Sequence, residues 1–463
     1  MYKKFCVYFL LYVLTIGIVV SIFTMAPVTH TSFPILRTII IVFATTLLVK
    51  YFVYMLVSPW NDVLAAIQQY RQKKIGAANQ YAPKVSVLVP AWNEEDGVVT
   101  TLETLLKSSY HNTEIIVINN ASTDHTDQNI KAFISRYTAS VEPNTPHIEI
   151  VYVKEKIAGK GYALNAGIRR ATGDIIISID ADCSVSPTAI QNFVKYFADP
   201  NVMAAVGNVK IGNTENLIGI VQHLEFLFSF YFKKCDSIFG SIYIIGGAAG
   251  AFRREVLKSL HGFSVSNITE DIDLSLRIQR SGMKIVYAQD AIVYTEGAID
   301  LKGLINQRIR WKRGRFETFF TYRDLFFSRK KKHNKILSWI ILPLSIFGEI
   351  QLFLELFFVL FLFVYAYLSQ DYSSFISGII VVSSMFIVQI VSDESKAQKW
   401  KLLLLAPIGW VLLYVSSFVE FCALMKTISG YALGQEVTWQ HWNRQGVFFA
   451  PHKAESTALI EKN

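Results

Sequence analysis

Three short polar clusters combine residue types that can bind a metal, move a proton or hold a phosphate. They are Asp180-Ala-Asp182, Thr269-Glu270-Asp271 and the run QRIRW from Gln307 to Trp311. A fourth candidate is Lys160, which stands between two glycines. All four lie between two strongly apolar blocks, which indicates a polar working region flanked by apolar segments.

Asp180 and Asp182 follow the β-branched run Asp174–Ile179 and therefore leave a predicted buried strand. Two carboxylates at such a point are costly unless a cation lies between them. A divalent ion held by one or two carboxylates and by substrate phosphates fits Mg²⁺ or Mn²⁺. The alternative is a solvated loop after a strand, and the local sequence leaves both interpretations open.

Lys160 lies between Gly159 and Gly161, just before a helix that the pattern predicts to begin at Tyr162. Helix N-termini present free backbone amides, so an anion site is plausible there. The run lacks the full phosphate-loop pattern GxxxxGK[ST]. A helix-starting turn with a surface lysine is the alternative interpretation.

The Thr269 cluster opens a predicted amphipathic helix, with Thr269 expected as its N-cap. Glu270, Asp271 and Asp273 fall in the first turn. Acidic residues there are favoured by the positive end of the helix dipole. Capping and catalysis therefore explain the three carboxylates equally well from this stretch alone.

In QRIRW, the side chains of Gln307, Arg310 and Trp311 share one helix face, because they lie at positions i, i+3 and i+4. A guanidinium can form a fork onto phosphate oxygens, and an indole is a flat platform for a sugar. The surrounding segment, residues 301–327, is rich in basic and aromatic residues. A simple anchor at the bilayer surface is therefore the alternative.

Short β-branched runs alternate with helical patterns between these clusters, which predicts a largely parallel α/β sheet. Ligands of such sheets bind beyond the carboxyl ends of the strands, where the polar clusters stand. The predicted strands are Val85–Val89, Glu114–Ile118, Ile148–Val153 and Asp174–Ile179, with a helix over Asp96–Ser108.

Composition points to a membrane. Hydrophobic residues make up 52% of the chain, charged residues 17%, and the net charge is +9. Because the basic and aromatic segment 301–327 fits a bilayer surface and no other such run stands in a soluble domain, we expect a bilayer and an anionic substrate rather than nucleic acid. The four cysteines have no metal-type spacing, so the working domain is expected to face a reducing cytoplasm.

Two predicted membrane spans, Phe5–Met25 and Ile35–Val57, open the chain; a cleavable signal peptide is the alternative for the first. Flanking lysines and arginines place the N-terminus and the central domain in the cytoplasm. The C-terminal block reads as Trp339–Leu368, Phe375–Val391 and Leu402–Met425. Its number of crossings stays open, because Pro343 and Pro407 interrupt the apolar pattern. The predicted units are residues 1–58, 84–327, 336–425 and a polar tail, 426–463.

Taken together, these motifs closely resemble membrane-integrated, processive family 2 glycosyltransferases: cellulose, chitin, hyaluronan and poly-N-acetylglucosamine synthases. The likeness rests on PAWNEE (Pro90–Glu95), Asp180 with Asp182, Thr269–Asp271 and QRIRW, in family order. The segment Thr438–Gly446 also looks loosely like the C-terminal segment of poly-N-acetylglucosamine synthases. The resemblance implies a GT-A glycosyltransferase fold flanked by transmembrane helices.

The resemblance also implies roles. Asp180 would hold the nucleotide sugar, Asp182 would bind Mg²⁺ or Mn²⁺ on the diphosphate, and Asp271 within Thr269-Glu270-Asp271 would be the general base. Trp311 would stack on the acceptor sugar. The remaining residues implied to contact substrate are Lys160, Gln307, Arg310, Asn93, Glu94, Asn120 and Asp124.

Two positions depart from the family pattern. Relatives usually have an aspartate that contacts the uracil where this chain has Asn119-Asn120. The resemblance therefore does not fix which nucleotide the sugar donor carries. Gly247 stands where a serine is common, which bears on the choice of acceptor or sugar.

The first hypothesis is an inverting, processive synthase at the cell membrane that uses a UDP-sugar and exports a β-linked polysaccharide, with N-acetylglucosamine ahead of glucose. A small membrane accessory subunit is a further partner that the resemblance allows. The second hypothesis is transfer of one sugar to a lipid-phosphate carrier. The third is a non-catalytic membrane scaffold or export partner, against which the retained acidic motifs argue.

Overall fold

The computed structural model describes most of the chain between residues 49 and 434. The described ranges are residues 49–67, 70, 81–142, 147–370, 372–393 and 399–434. The predicted span Phe5–Met25, most of the span Ile35–Val57 and the tail segment Thr438–Gly446 lie outside them.

The centre of the described chain is a sheet of eight strands in the order β3-β2-β1-β4-β7-β6-β8-β5. The strands are β1 (Val85–Ala91), β2 (Thr113–Asn120), β3 (Glu149–Glu155), β4 (Ile175–Ser178), β5 (Cys183–Val185), β6 (Val202–Ile211), β7 (Gly250–Arg253) and β8 (Lys284–Thr295).

The first half of the sheet is parallel, as the sequence predicted. β1 pairs in parallel with β2 and β4, and β2 pairs in parallel with β3. Strands covered on both faces read as continuous apolar runs, and every residue of β2 is buried. The register places Ala91 of β1 beside Asn119 of β2, so these two strands end at one edge.

The second half of the sheet is mixed, which the alternating pattern did not predict. β7 runs antiparallel to both β4 and β6, and β5 runs antiparallel to β8. β6 and β8 are parallel, with register shifts near Gly207. The short strand β7 brings the preceding loop, which contains Gly247, alongside the end of β4.

Helices cover the sheet and extend toward the apolar C-terminal block. They are α1 (residues 49–67), α2 (Val98–Leu106), α3 (Thr126–Ser140), α4 (Lys160–Arg170), α5 (Ala189–Tyr196), α6 (Leu217–Ile238), α7 (Arg254–Ser259), α8 (Glu270–Arg280), α9 (Leu301–Thr321), α10 (Leu342–Ser369), α11 (Ser373–Ser392), α12 (Lys399–Leu405) and α13 (Gly409–Ala432).

Helix α2 confirms the predicted amphipathic helix and shows why the spacing works. Val98, Leu102 and Leu105 recur at helical spacing and are fully buried against the sheet. Replacing such a leucine with alanine typically costs about 2–5 kcal/mol. The helix therefore fixes the loop after β1, where polar residues follow the strand.

Helix α9 carries the QRIRW run and meets α8 at one close contact. Asp300 caps its start, because Asp300 Oδ1 accepts a hydrogen bond from the Gly303 amide at 2.6 Å. A Cβ placed on Gly314 would lie 2.3 Å from the Thr269 side chain. Glycine at this position therefore lets α9 cross the start of α8.

Two described segments are long and apolar enough to cross a membrane, Leu337–Glu355 and Trp400–Ala432. Val382–Ser392 is a shorter apolar helix. Pro407 lies in a 3₁₀ turn, Ala406–Ile408, that separates α12 from α13. The predicted interruption at this proline is thus present.

Candidate active site

The carboxyl end of β4 places Asp180 and Asp182 at the edge of the sheet. Asp180 Oδ1 lies 2.5 Å from Lys160 Nζ. Asp182 is half-buried, and its Oδ1 accepts a hydrogen bond from Thr295 Oγ1 of β8 at 3.4 Å. The two acids are therefore anchored from different sides, Asp180 by a cation and Asp182 by the neighbouring strand.

Lys160 is the first residue of α4, so the helix begins two residues earlier than the predicted Tyr162. Its ammonium also lies 3.5 Å from Glu270 Oε1. Burial would lower the pKa of Lys160, but the carboxylates of Asp180, Glu270 and Asp271 outweigh burial and raise that pKa above its ordinary value. The surface-lysine interpretation is wrong, because this side chain joins two of the acidic motifs.

The Thr269 cluster begins α8 as predicted, yet the expected side-chain cap is wrong. Thr269 occupies the N-cap position without a capping hydrogen bond; its hydroxyl instead meets Asn267 Oδ1 at 3.2 Å. Glu270 is buried, and burial raises its pKa while Lys160 opposes that shift. The Thr269 side chain therefore does not cap α8, while Glu270, Asp271 and Asp273 stand in its first turn as predicted.

Asp271 and Asp273 have different surroundings. Asp271 is half-buried, and its Oδ2 accepts a hydrogen bond from the Gly247 amide at 3.1 Å. Asp273 is buried between Tyr322, whose hydroxyl donates at 2.7 Å, and Arg277, whose guanidinium lies 2.8 Å away. These contacts give Asp273 a structural role.

Gln307 and Arg310 of the QRIRW run lie on α9, the helix whose Gly314 packs against Thr269. Gln307 is 9% exposed, and its Oε1 has no hydrogen-bond partner among the described residues. Arg310 acts electrostatically on Glu270 and lowers its pKa, against the larger effect of burial. Arg310, one of the three residues of the predicted helix face, therefore lies within electrostatic range of Glu270.

Trp311 is half-buried, with the Arg308 guanidinium 4.2 Å from its ring centroid. Sequence reasoning missed Arg308, Lys312 and their carboxylate partners in distant helices. The available signal was their i, i+4 spacing on a basic helix, together with the glutamates in apolar segments.

The loops after β1 and β2 hold each other. Asn93 has a left-handed backbone, φ 52°, and its Oδ1 accepts a hydrogen bond from the Thr123 amide at 2.8 Å. Glu94 is buried, and its amide donates to Thr126 Oγ1 at 2.7 Å. Asp124 Oδ2 accepts a bond from the Glu95 amide at 3.2 Å. These contacts fix the loops, and substrate contact by these residues remains a prediction.

Asn120 is buried and braces the segment that leads to Lys160. Its Nδ2 donates to the Ile157 carbonyl at 2.6 Å, and its Oδ1 accepts from the Gly159 amide at 2.8 Å. The side-chain amide of Asn120, which stands where relatives usually have an aspartate, therefore positions the start of α4. A direct contact of Asn120 with a base remains a prediction.

A divalent metal fits the donor set at Asp182. Among the described residues, no group of three or more His, Cys, Asp or Glu side chains surrounds a possible metal position. Mg²⁺ and Mn²⁺ do not need such a cage, because one or two carboxylates with phosphate oxygens and water complete their shells. The partly exposed Asp182 carboxylate meets that requirement.

Comparisons with known proteins agree with this geometry. Residues 83–314 match the family model described as glycosyltransferase like family 2. A poly-beta-1,6-N-acetyl-D-glucosamine synthase from Staphylococcus aureus (strain MSSA476) is 29% identical over 250 residues, which is 54% of this chain and 58% of that protein. The chain thus spans less than two thirds of that relative's length.

A synthase of the same name from Staphylococcus epidermidis is 25% identical over 419 residues, covering 86% of this chain and 94% of the relative. Among solved structures, a mannosyltransferase from Pyrobaculum calidifontis in complex with GDP-Man and Mn²⁺ matches with a TM-score of 0.50. It is 20% identical and covers 83% of this chain and 99% of its own. That likeness supports the GT-A fold. The chain belongs to glycosyltransferase family 2, and it is a glycosyltransferase.

Proposed function

We propose that this glycosyltransferase transfers a sugar from a UDP-sugar to a growing β-linked polysaccharide, with inversion at the anomeric carbon. N-acetylglucosamine is the sugar we favour, because two relatives named above are synthases of its β-1,6 polymer. The observation that carries the proposal is the pairing of Lys160 with both Asp180 and Glu270. Asp271 follows Glu270 on α8 and is held by the amide of Gly247, where an added Cβ would lie 2.5 Å from Lys160 Nζ.

Asp271 is the proposed general base. The Gly247 amide orients one of its oxygens, and its position at the start of α8 leaves the carboxylate half-buried. In a single displacement the acceptor oxygen bonds to the anomeric carbon, the bond from that carbon to the diphosphate oxygen breaks, and Asp271 takes the acceptor proton. One such step inverts the configuration and releases UDP. Positioned bases of this kind typically contribute about 10²–10⁴-fold in rate.

Lys160 and Arg310 are the proposed contacts to the diphosphate. Lys160 stays protonated because carboxylates surround it, so its charge is available to an anionic donor. Asp180 would then exchange part of its ion pair with Lys160 for contact with the donor. Asp182 would hold Mg²⁺ or Mn²⁺, which when bound neutralises charge on the departing UDP.

Gln307 and Trp311 are the proposed contacts to the sugars. Gln307 Oε1 is buried without a hydrogen-bond partner among the described residues, and a sugar hydroxyl would satisfy it. Trp311 offers a flat apolar ring that stays partly exposed. We further propose that the apolar segments Leu337–Glu355 and Trp400–Ala432 span the cell membrane and help to export the polymer.

A panel of labelled UDP-sugars tests the proposal. Purified protein in detergent with Mn²⁺ is expected to incorporate label from UDP-N-acetylglucosamine into a polymer many residues long. Label found only in a monoglycosylated lipid would replace the proposal with single transfer to a lipid-phosphate carrier. No turnover with any UDP-sugar would favour a non-catalytic scaffold.

A further inference from the structure

Helix α9 carries a second row of charged residues beside the proposed substrate face. Arg308, Lys312 and Arg315 recur at helical spacing, and Arg308 and Lys312 are almost fully buried. They meet three carboxylates from other helices, so the buried charges balance. The carboxylates are Glu225 of α6, Glu349 of α10 and Glu420 of α13.

Arg308 is held at both edges of its guanidinium. Its Nη2 lies 3.0 Å from Glu225 Oε2, and its Nε lies 3.1 Å from Glu420 Oε1. Ser416 of α13 donates to the same Glu225 oxygen at 3.0 Å. A planar group fixed by two carboxylates has little freedom to rotate.

The same guanidinium lies against Trp311. Its central carbon is 4.2 Å from the indole centroid, within the range of a cation–π contact. The ring of Phe226, next to Glu225 on α6, lies 6.4 Å from the indole. The orientation of Trp311 is therefore set by one residue of its own helix and by a neighbouring helix.

We propose that Arg308 is a positioning residue that acts through Trp311. Glu225 and Glu420 fix Arg308, and Arg308 fixes the indole that receives the acceptor sugar. Because Glu420 lies in the apolar segment Trp400–Ala432, the acceptor site is tied to a helix of the membrane block. This inference rests on the proposed function, in which Trp311 stacks on the acceptor.

Arg308→Lys tests the inference, because lysine keeps the positive charge but loses the planar stack. We expect the KM for a short N-acetylglucosamine oligosaccharide to rise about tenfold, as the loss of a desolvated cation–π contact predicts. The KM for UDP-N-acetylglucosamine and the hydrolysis of that donor without acceptor are expected to stay unchanged. Polymer made by the variant is expected to be shorter.

Lys312→Arg is the matched control, because Lys312 shares Glu420 with Arg308 but pairs with Glu349 instead of stacking on Trp311. It is expected to keep the wild-type KM for the oligosaccharide. Glu225→Gln is the second test if Arg308→Lys does not fold: it loosens Arg308 while Glu420 still holds it. A smaller rise in the same KM is expected, with the donor KM unchanged.

Trp311→Ala separates failure of the inference from failure of the proposed function. If Trp311→Ala raises the oligosaccharide KM and neither Arg308→Lys nor Glu225→Gln does, Arg308 is not a positioning residue. A parallel rise in the donor KM of the Arg308 variant contradicts the inference in the same way. If Trp311→Ala itself leaves the oligosaccharide KM unchanged, the stacking role in the proposed function is wrong.

Discussion

The backbone amide of Gly247 donates a hydrogen bond to Asp271 Oδ2 at 3.1 Å, so the loop before β7 holds the proposed base directly. The same glycine leaves room for Lys160. A Cβ at position 247 would lie 2.5 Å from Lys160 Nζ and 3.8 Å from Asp180 Oδ2. Gly247 thus holds the carboxylate of the proposed base through its backbone amide and, because it has no side chain, leaves space for the Lys160 ammonium.

Gly247→Ala is therefore expected to displace the Lys160 ammonium while leaving the backbone amide in place. Hydrogen bonds to charged groups are worth about 1.5–3 kcal/mol. Partial loss of the proposed contact between Lys160 and the donor diphosphate therefore predicts about a tenfold rise in the KM for UDP-N-acetylglucosamine. Gly246→Ala is the control, because a Cβ there meets nothing within 4 Å. Equal donor KM values for the two variants would remove Lys160 from donor binding.

The sequence predicted the parts of the fold that depend on local patterns. β1 and β2 were predicted because strands covered on both faces are rich in apolar residues, although each strand is longer than the predicted Val85–Val89 and Glu114–Ile118. The meeting of Asp180 with the Thr269 cluster could be expected only from the resemblance. No local pattern brings the end of β4 to the start of α8.

Other features depend on contacts between distant segments, which local patterns do not record. β7 has only four residues, Gly250–Arg253, so its antiparallel pairing with β4 left no periodic signal. The Thr269 side chain does not cap α8 as expected, because its hydroxyl donates a hydrogen bond to Asn267 Oδ1. The ion pairs of Arg308 join three helices, and the spacing on α9 alone could not identify the partners.

Glu114 gives a prediction about stability and pH. Burial would raise its pKa, but hydrogen bonds from Ser86, Thr172 and Lys84 outweigh burial and lower the pKa to about 2. Because the folded-state pKa is below the unfolded one, about 4.3, its stabilising contribution is complete above that value and is lost as the pH falls toward 2.

Glu114→Gln is expected to lower the free energy of unfolding by about 1–3 kcal/mol near pH 7. The difference from wild type is expected to shrink below about pH 4, where the native carboxylate begins to lose its advantage. Thermal unfolding of both proteins across this pH range measures it. A difference that stays constant down to pH 3 would contradict the role of the charge.

Replacing Lys312 tests the buried ion pairs that join α9 to the apolar helices α10 and α13. Its ammonium lies 2.8 Å from Glu349 and 2.7 Å from Glu420. Lys312→Met removes one of the positive charges that neutralise Glu349 and Glu420. Breaking a buried ion pair typically lowers the free energy of unfolding by about 3–5 kcal/mol. Denaturation in detergent is expected to show that loss.

The double variant Lys312→Met with Glu420→Gln is expected to recover part of the lost stability. It removes one cation and one anion together, and Arg308 with Glu225 and Arg315 with Glu349 remain as pairs. If the double variant instead loses as much stability as Lys312→Met and Glu420→Gln lose together as single variants, Lys312 and Glu420 are not coupled.

The most direct test of the account compares Asp271→Asn with Asp273→Asn in the same preparation. Both changes remove one carboxylate charge from the first turn of α8, but only Asp271 is the proposed base. We predict that Asp271→Asn lowers sugar transfer by about 10²–10⁴-fold with UDP affinity unchanged. Asp273→Asn should lower stability, since it weakens the contacts to Tyr322 and Arg277, while turnover per folded molecule is retained. Wild-type turnover by Asp271→Asn would contradict the central claim.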